Sequence, residues 1–254
     1  MNQTKLTNEY VSGWRYWSDR HHPADFEIGV IQDFWGEPLV DKKVLEVGCG
    51  DGRVLTKLAS HCREIVGIDT NSRLTDSLQS AQTALPANAS VHNMSGTDLH
   101  FADGSFDLVI FPWCLHQFPD PEQAFSEARR VLKPQGRVIV FGLTPGGPYE
   151  IVAEKLNLYP GPQVNPVDAY EKPLKKVFGA IKATKTVGWE NDDLRFGFRF
   201  ADFDEALKAW RWALLHWHDH DPTESDIEIL REALNEYKIG EQLFMPTCGI
   251  LYFV

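Results

Sequence analysis

The stretch Val44-Leu45-Glu46-Val47-Gly48-Cys49-Gly50-Asp51-Gly52 decides the fold class of this chain. Strand-forming residues run directly into three glycines at alternate positions, and apolar residues then recur at helical spacing. A strand, a tight glycine turn and a helix start together form a surface of free backbone N–H groups that a nucleotide-like ligand can approach closely. The stretch therefore predicts a nucleotide-type binding turn at the end of a strand.

The residues around the glycines indicate which ligand this turn binds. A dinucleotide-binding turn follows the pattern G-x-G-x-x-G, and Arg53 stands here at the third glycine position. Glu46, two residues before the first glycine, would repel a pyrophosphate. A ligand with a cationic amino acid end suits this turn better. An NAD-linked oxidoreductase with an atypical glycine loop is the first alternative, and Arg53 and Glu46 argue against it.

Three further blocks follow the glycine turn in order. They are Ile65–Asp69, Phe101–Val109 and Arg130–Arg137. Together with the turn, they resemble the motifs of the class I S-adenosylmethionine-dependent methyltransferases, in particular small-molecule enzymes of the type found in ubiquinone and menaquinone biosynthesis. The four blocks cover roughly residues 40–143, and the match is specific as a set.

The alternation of short apolar strands with amphipathic helices over residues 41–143 predicts βαβ units and a parallel sheet. The resemblance implies an α/β fold with a Rossmann-like, doubly wound, seven-stranded sheet, mostly parallel, with an antiparallel terminal hairpin. We expect residues 1–40, rich in aromatic side chains, to form a helical N-terminal lid, and residues 41–254 to form the methyltransferase domain. Prolines within 144–181 indicate an insertion after the fifth strand, interpreted as a substrate-side cap.

The predicted elements can be stated as ranges. Strands are expected at 43–47, 64–69, 90–94, 106–112 and 137–143, with helices at about 53–62, 72–84 and 121–132. Further along the chain we expect a strand at 182–189, helices near 202–218 and 223–237, and a terminal strand at 247–254.

The resemblance implies that S-adenosylmethionine is the cofactor and S-adenosylhomocysteine the product. It implies cofactor contacts at Tyr16, Glu46, Gly48, Gly50, Gly52, Asp69, Thr70, Ser95, Gly96, Thr97 and Phe111. Glu46 is expected near the methionine amino group, Asp69 on the two ribose hydroxyls and Phe111 with its carbonyl toward the cofactor's amino group. Ser95 stands where the family has a carboxylate or amide that binds adenine, and Asp98 is the alternative if the loop shifts.

The catalytic residues are expected to leave a faint signal, because the cofactor carries the activation and the protein mainly positions the reactants. His116, shortly after the predicted fourth strand, is a candidate general base, since neutral imidazole works near pH 7. The alternative for His116 is packing on the next helix start. His21 and His22 would reach a substrate from the lid, or form a solvated loop pair.

The run His216-Trp217-His218-Asp219-His220 invites interpretation as a metal site. His216 and His220 would share one face of a helix. No Glu follows the first His as in H-E-x-x-H, and histidines at a helix C-terminus also interact well with the helix dipole. We therefore predict no metal site.

Composition limits the class of partner. The chain of 254 residues carries a net charge of −11, which disfavours nucleic acid, because phosphate neutralisation dominates nucleic-acid affinity. No signal peptide and no run of ~20 apolar residues is evident, and four cysteines without C-x-x-C spacing favour reduced thiols in the cytoplasm. The expected partner is a small molecule of aromatic or apolar character, with no membrane contact, and a homodimer is compatible with the sequence.

The sequence thus predicts an enzyme that moves a methyl group from S-adenosylmethionine to an oxygen or nitrogen nucleophile of a small-molecule acceptor. A second alternative is a regulatory protein that binds S-adenosylmethionine without catalysis, because a fold does not imply a function. A protein or RNA acceptor is a lesser variant that the net charge disfavours.

Overall fold

The strand predicted before the glycine turn forms at Lys43–Val47, and a helix begins directly after the turn at Arg53. The computed structural model describes residues 8–22, 25–80, 85–143, 148–158, 167–187, 197–246 and 249–254. The strands are β1 (His21–His22), β2 (Lys43–Val47), β3 (Glu64–Asp69), β4 (Ala89–Asn93), β5 (Phe106–Pro112), β6 (Leu132–Leu143), β7 (Ala183–Val187), β8 (Gly197–Phe200), β9 (Lys238–Ile239), β10 (Gln242–Pro246) and β11 (Gly249–Phe253). The α-helices are α1 (Asn8–Ser18), α2 (Phe26–Trp35), α3 (Arg53–Leu58), α4 (Ser72–Gln79), α5 (Pro121–Val131), α6 (Pro148–Lys155), α7 (Lys172–Phe178), α8 (Phe203–His218) and α9 (Glu224–Asn235).

The chain divides into two units, each assembled from separate segments. The larger unit contains Asp25–Leu143, Val164–Thr186 and Gly249–Val254. The smaller unit contains Met1–Ala24, Thr144–Gln163 and Val187–Cys248.

The larger unit is built on a seven-stranded sheet in the order β4-β3-β2-β5-β6-β11-β7. The pairs β2–β3, β3–β4, β2–β5 and β5–β6 are parallel, and β11 is antiparallel to β6. The strand order reverses between β2 and β5. Open α/β sheets bind ligands at such a switch point, outside the carboxyl ends of the strands. The end of β2 therefore lies where a ligand is expected.

Apolar side chains of the strands and of α5 form the core of the larger unit. The α5 helix begins at Pro121, a favourable first-turn residue, and its N-cap Asp120 accepts a hydrogen bond from the Gln123 N–H at 3.0 Å. The core includes the fully buried residues Leu45, Phe106, Phe111, Phe125, Val140 and Tyr252. This packing holds β2 and β5 side by side and so fixes the crevice between their ends.

The smaller unit has its own sheet and its own core. The sheet order is β1-β8-β10-β9, and the neighbouring strands are antiparallel. Trp17 of α1 donates a hydrogen bond from Nε1 to the Ala209 carbonyl at 3.0 Å, and its ring packs edge-on against Phe200 and Trp210. The α9 helix starts with a capping box between Thr223 and Asp226.

The structure confirms the predicted fold class and most of the predicted elements, with three differences in detail. The β6 strand begins at Leu132 and not at residue 137, because Leu132 pairs with Phe106 before a register shift. The last two strands of the sheet, β11 and β7, are neighbours, but the segment 188–248 lies between them along the chain. The predicted helix 72–84 ends at Gln79, and 81–84 lie outside the described residues.

The structure describes three of the four cysteines. Cys49, Cys62 and Cys114 are free and buried, while Cys248 lies outside the described residues. Within the described ranges, no helix is both long enough and apolar enough to cross a membrane.

The carboxylate of Asp107 ties the amino-terminal end of β2 to the beginnings of β5 and β6. It accepts hydrogen bonds from the Lys43 backbone N–H and from Lys133 Nζ, both at 2.8 Å. Partial burial raises the pKa of Asp107, but these bonds outweigh burial and lower it below its ordinary value. A lowered folded-state pKa adds stability above the unfolded-state pKa of about 3.9, and that stability is lost as the pH falls through the folded-state value.

Replacing Asp107 by Asn is therefore expected to lower the free energy of unfolding by about 1 kcal/mol at neutral pH, a modest value because Lys133 is partly exposed to solvent. The difference from the wild-type protein should disappear at an acidic pH below the folded-state pKa of Asp107, where the carboxyl group is protonated in both states. Urea denaturation at both pH values measures it. An equal loss at both pH values would show that the charge of Asp107 is irrelevant.

Candidate cofactor site

The glycine turn after β2 has the backbone conformation that only glycine adopts without strain. Gly48, Gly50 and Gly52 have φ angles of 74°, 54° and 79°. A Cβ atom on Gly48 would lie 2.6 Å from Cys114 Cβ, and one on Gly52 would lie 2.9 Å from Leu78 Cδ2. Both the backbone angles and the lack of space therefore require glycine at the first and third positions.

The turn does not present the row of free N–H donors that the sequence suggested. The N–H groups of Gly48 and Cys49 donate to the Ile68 carbonyl at 2.8 and 2.9 Å. The Gly50 N–H donates to Asp69 Oδ2 at 2.9 Å, and the Gly52 N–H donates to the Cys49 carbonyl at 2.8 Å. These four N–H groups are therefore engaged within the protein, and neighbouring side chains are the candidates for recognising a ligand.

Asp69, the last residue of β3, joins the turn to the start of α4. Its Oδ2 accepts the hydrogen bond from Gly50, and its Oδ1 accepts one from the Asn71 N–H at 2.8 Å. Burial raises the pKa of Asp69, and the backbone hydrogen bonds act against that rise. Each carboxylate oxygen has a second acceptor position. Asp69 can therefore shape the turn and accept two ligand hydroxyls together.

Glu46 is the most unusual group at this edge of the sheet. Its residue surface is 2% exposed, and its Oε2 has no hydrogen-bond partner. Burial raises the pKa of Glu46 well above its usual range, the charge of Arg53 lowers it, and the charges of Glu27, Asp51 and Asp69 raise it further. A buried carboxylate without a partner is costly unless a cation or donor reaches it. The site therefore suits a ligand that brings a positive group to Glu46.

The segment after β4 carries the residues expected to contact adenine. Ser95 Oγ and Thr97 Oγ1 share a hydrogen bond of 2.7 Å, and the Thr97 N–H donates to Ser95 Oγ at 3.2 Å. A Cβ atom on Gly96 would lie 2.7 Å from Val47 Cγ1, so this segment packs directly on the end of β2. Asp98 is exposed and pairs with His100 at 3.4 Å. Of the two acceptors considered for adenine, Ser95 is partly buried and adjoins the packed Gly96, whereas Asp98 is exposed.

The segment after β5 lies beside the glycine turn. Cys114 Sγ donates to the Val47 carbonyl at 3.1 Å, and Phe111 is fully buried near the end of β5. His116 belongs to a short 3-10 helix, Leu115–Gln117, and its side chain is exposed. Nearby protein atoms still lower the pKa of His116 by desolvation, so its imidazole is neutral near pH 7.

A buried network that the sequence did not indicate connects these segments to α2. Arg53 Nη1 donates to Glu27 Oε2 at 2.8 Å, and Arg53 Nη2 donates to Glu27 Oε1. Trp113 Nε1 donates to Glu27 Oε1 at 3.1 Å. Two signals were present in the sequence: Glu27 is an acid in an otherwise largely apolar helix, and Arg53 replaces the expected glycine.

The other proposed site residues are placed as follows. Thr70 is exposed directly after Asp69. Tyr16, in the smaller unit, donates its hydroxyl to the Glu205 carbonyl at 3.2 Å, and the Arg20 guanidinium stacks over its ring at 3.3 Å. The backbones of His21 and His22 pair with β8, and their side chains lie outside the described residues. Roles for these residues stay predictions.

In the histidine run at the end of α8, His220 pairs with a carboxylate. His220 Nε2 lies 3.0 Å from Asp226 Oδ2. Across the part of the chain that the structure describes, no group of three or more His, Cys, Asp and Glu side chains is arranged to hold a metal ion.

Comparisons with known proteins agree with this geometry. Residues 45–140 match the family described as "Methyltransferase domain". The uncharacterized methyltransferase YcgJ of Bacillus subtilis is 29% identical over 101 residues, which are 39% of this chain and 40% of that protein. The demethylmenaquinone methyltransferase of Staphylococcus aureus is 34% identical over 100 residues, 38% of this chain and 41% of that enzyme. The alignments thus span about two fifths of the length of these relatives.

Solved structures extend the likeness in fold beyond the matched segment. The crystal structure of YcgJ aligns with a TM-score of 0.56 at 18% identity, covering 89% of this chain and 97% of that one. A phosphoethanolamine N-methyltransferase of Haemonchus contortus aligns with a TM-score of 0.55 at 14% identity, covering 89% of this chain and 51% of that one. The fold of this chain is therefore that of these methyltransferase structures, and residues 45–140 resemble the methyltransferase domain family.

Proposed function

We propose that this chain binds S-adenosylmethionine at the glycine turn and transfers its methyl group to an oxygen or nitrogen of a small-molecule acceptor. The observation that carries the proposal is the buried Glu46 carboxylate with its unpartnered Oε2. Its pKa is raised by burial and by three neighbouring carboxylates, so a cationic ligand is the partner that relieves it. The amino acid end of S-adenosylmethionine carries such a cation.

The residues at the carboxyl edge fit the remaining parts of the cofactor. When bound, the cofactor supplies a methyl group activated on sulfur. Glu46 would receive its ammonium group, and Asp69 would accept the ribose hydroxyls while it holds the Gly50 N–H. Ser95 and Thr97 would face the adenine, because their segment packs against the end of β2 through Gly96. The Phe111 carbonyl is proposed to contact the ammonium group as well.

The acceptor is proposed to be a small molecule, in the cytoplasm. The structurally similar Haemonchus contortus enzyme was solved with phosphomonomethylethanolamine and S-adenosylhomocysteine, which illustrates this class of acceptor on the same fold. The net charge of −11 disfavours a nucleic-acid acceptor. A homodimer is part of the same proposal. The direct test of transfer is release of S-adenosylhomocysteine when the protein meets S-adenosylmethionine and a panel of hydroxyl and amine acceptors.

The two alternative functions have less support. An NAD-linked oxidoreductase would need a helix start that is open to pyrophosphate. Here Arg53 stands at the helix start, and its guanidinium is engaged in a buried ion pair with Glu27. A protein that binds the cofactor without transfer would show binding in calorimetry and no product release with any acceptor. The acceptor panel therefore separates binding from catalysis.

His116 is proposed as the general base, with His21 and His22 as the alternatives. His116→Ala is expected to lower the turnover number by about 100-fold while the Kd for S-adenosylhomocysteine stays unchanged, because a base acts on the acceptor. His61→Ala is the matched control: His61 bonds to Gln32 and takes no part in the proposed site. If both variants turn over at the wild-type rate, His116 is not the base and the lid histidines are tested next.

A further inference from the structure

The ion pair between Glu27 and Arg53 is enclosed more completely than a surface salt bridge. Glu27 has a side-chain exposure of 1%, and Arg53 has one of 15%. The planar guanidinium donates with two nitrogens to the two oxygens of Glu27, a geometry that fixes both side chains. Trp113 adds a third hydrogen bond to the same carboxylate. Three segments, α2, the start of α3 and the residue after β5, thus meet at one buried charge pair.

The backbone of Trp113, one member of this network, has a strained conformation. Its φ angle is 57°, a left-handed value that bulky side chains rarely adopt. Such conformations persist where the surrounding structure holds them, and they concentrate at functional sites. The hydrogen bond to Glu27 and the ring contact with Phe141, 5.6 Å between centroids, hold Trp113 here.

The network reaches the end of β2 that carries Glu46, because Cys114, the neighbour of Trp113, donates to the Val47 carbonyl at 3.1 Å. Arg53 is bound to Glu27, while Glu46 Oε2 has no hydrogen-bond partner, so Arg53 acts on that oxygen through charge alone. The charged and titratable groups whose electrostatic effects reach Glu46 come from several elements. They are Arg53 of α3, Glu27 of α2, Asp51 of the turn and Asp69 of β3, and the buried thiols of Cys49 and Cys114 feel the charge of Glu46 in turn.

We propose that Glu27 and Arg53 are a positioning pair, in which Arg53 favours the ionised form of Glu46 and Glu27 holds Arg53 so that Glu46 stays open to the cofactor's ammonium group. This inference rests on the proposed function. Arg53 supplies the positive charge that a buried carboxylate needs, and Glu27 holds Arg53 so that it does not itself occupy the Glu46 oxygen. Neither residue needs to contact the cofactor.

The proposal gives opposite effects for the two members of the pair. Protonation of Glu46 removes its attraction for an ammonium group, so the affinity for S-adenosylhomocysteine should fall up to tenfold per pH unit below the pKa of Glu46. Arg53→Gln removes the positive charge, raises that pKa and moves the fall to higher pH. Glu27→Gln keeps an oxygen acceptor for Trp113. It removes the negative charge that pairs with Arg53, so the positive charge of Arg53 acts more strongly on Glu46 and the fall in affinity moves to lower pH. General damage to the site would not move the midpoints of the two variants in opposite directions.

The experiment is isothermal titration of the full chain with S-adenosylhomocysteine at a series of pH values over which the protein stays folded. Glu46→Gln should abolish the pH dependence assigned to this group. Lys57 lies on α3, as Arg53 does, and pairs with the exposed Asp25. Lys57→Gln removes this positive charge and should keep the wild-type midpoint. Arg53→Lys keeps the charge and should keep a midpoint near that of the wild-type protein.

Each outcome decides between the claims. Wild-type midpoints in both Arg53→Gln and Glu27→Gln, or a shift in the same direction for both, would overturn the positioning pair while leaving cofactor binding intact. If Arg53→Gln does not fold, Arg53→Lys and Glu27→Gln test the proposal. A strongly raised midpoint of the pH dependence in Arg53→Lys would show that the charge of residue 53 does not set the ionisation of Glu46. Absence of binding by the wild-type protein at every pH would instead refute the proposed function.

Discussion

Asp69→Ala is expected to weaken binding of S-adenosylhomocysteine by about 100-fold or more. Two hydrogen bonds from ribose hydroxyls to a carboxylate contribute roughly 1.5–3 kcal/mol each, and about 2.7 kcal/mol corresponds to 100-fold in Kd. The variant also releases the Gly50 and Asn71 N–H groups that Asp69 holds at 2.9 and 2.8 Å, so the glycine turn loses its support. Calorimetry measures the affinity, and urea denaturation shows whether the variant remains folded.

Two matched variants separate binding from folding. Asp69→Asn keeps one acceptor oxygen and should lose less affinity than Asp69→Ala. Asp107→Asn removes a partly buried carboxylate charge at the opposite edge of the same sheet, and it should lower stability with unchanged affinity. If Asp69→Ala binds S-adenosylhomocysteine as tightly as the wild-type protein, the ribose assignment is wrong.

Gly48→Ala is the second substitution with a large expected effect. The φ angle of 74° costs a residue with a side chain about 1–2 kcal/mol, and the new methyl group would lie 2.6 Å from Cys114 Cβ. Overpacking of this kind adds about 1–3 kcal/mol. We therefore expect a loss of about 2–5 kcal/mol in the free energy of unfolding, and a fall in cofactor affinity as the turn shifts.

Gly104→Ala controls for the backbone angle alone. Gly104 has a φ angle of 66°, and a Cβ atom there meets nothing within 4 Å. Its substitution should cost only about 1–2 kcal/mol and leave cofactor affinity unchanged. Equal losses of stability for the two variants would show that the contact with Cys114 is not tight.

The larger unit was predictable because its signals are local. The run that ends at Val47 is apolar and short, and three glycines follow it. Asp69 ends the next apolar run, so each βα unit can be recognised from a stretch of about ten residues. Parallel strands place their carboxyl ends at one edge, which is why Glu46 and Asp69 could be assigned to one site before the structure was known.

The smaller unit was only partly predictable because its sheet joins distant segments. The β1 strand has two residues and pairs with β8, which is 175 positions further along the chain at the His22–Gly197 pair. Strands this short carry no alternation of polar and apolar residues, so periodicity cannot reveal them. The helices α8 and α9 were predictable, since their apolar stripes repeat over several turns.

The polar network around Arg53 was missed for a different reason. Position 53 marked a departure from the dinucleotide pattern, but nothing local relates it to Glu27, 26 residues earlier. Pairing across that distance depends on how α2 packs, which sequence patterns do not encode. The same holds for the turn itself, where the N–H groups of Gly48 and Cys49 are taken by Ile68.

Cofactor binding at the glycine turn is the central claim, and one titration tests it most directly. Isothermal calorimetry of the full chain should show saturable binding of S-adenosylhomocysteine at a single site. A separate titration with NAD should show no binding. Asp69→Ala should lose the first signal. Saturable binding of NAD, or no binding of S-adenosylhomocysteine by a folded wild-type protein, would contradict the assignment of this edge of the sheet.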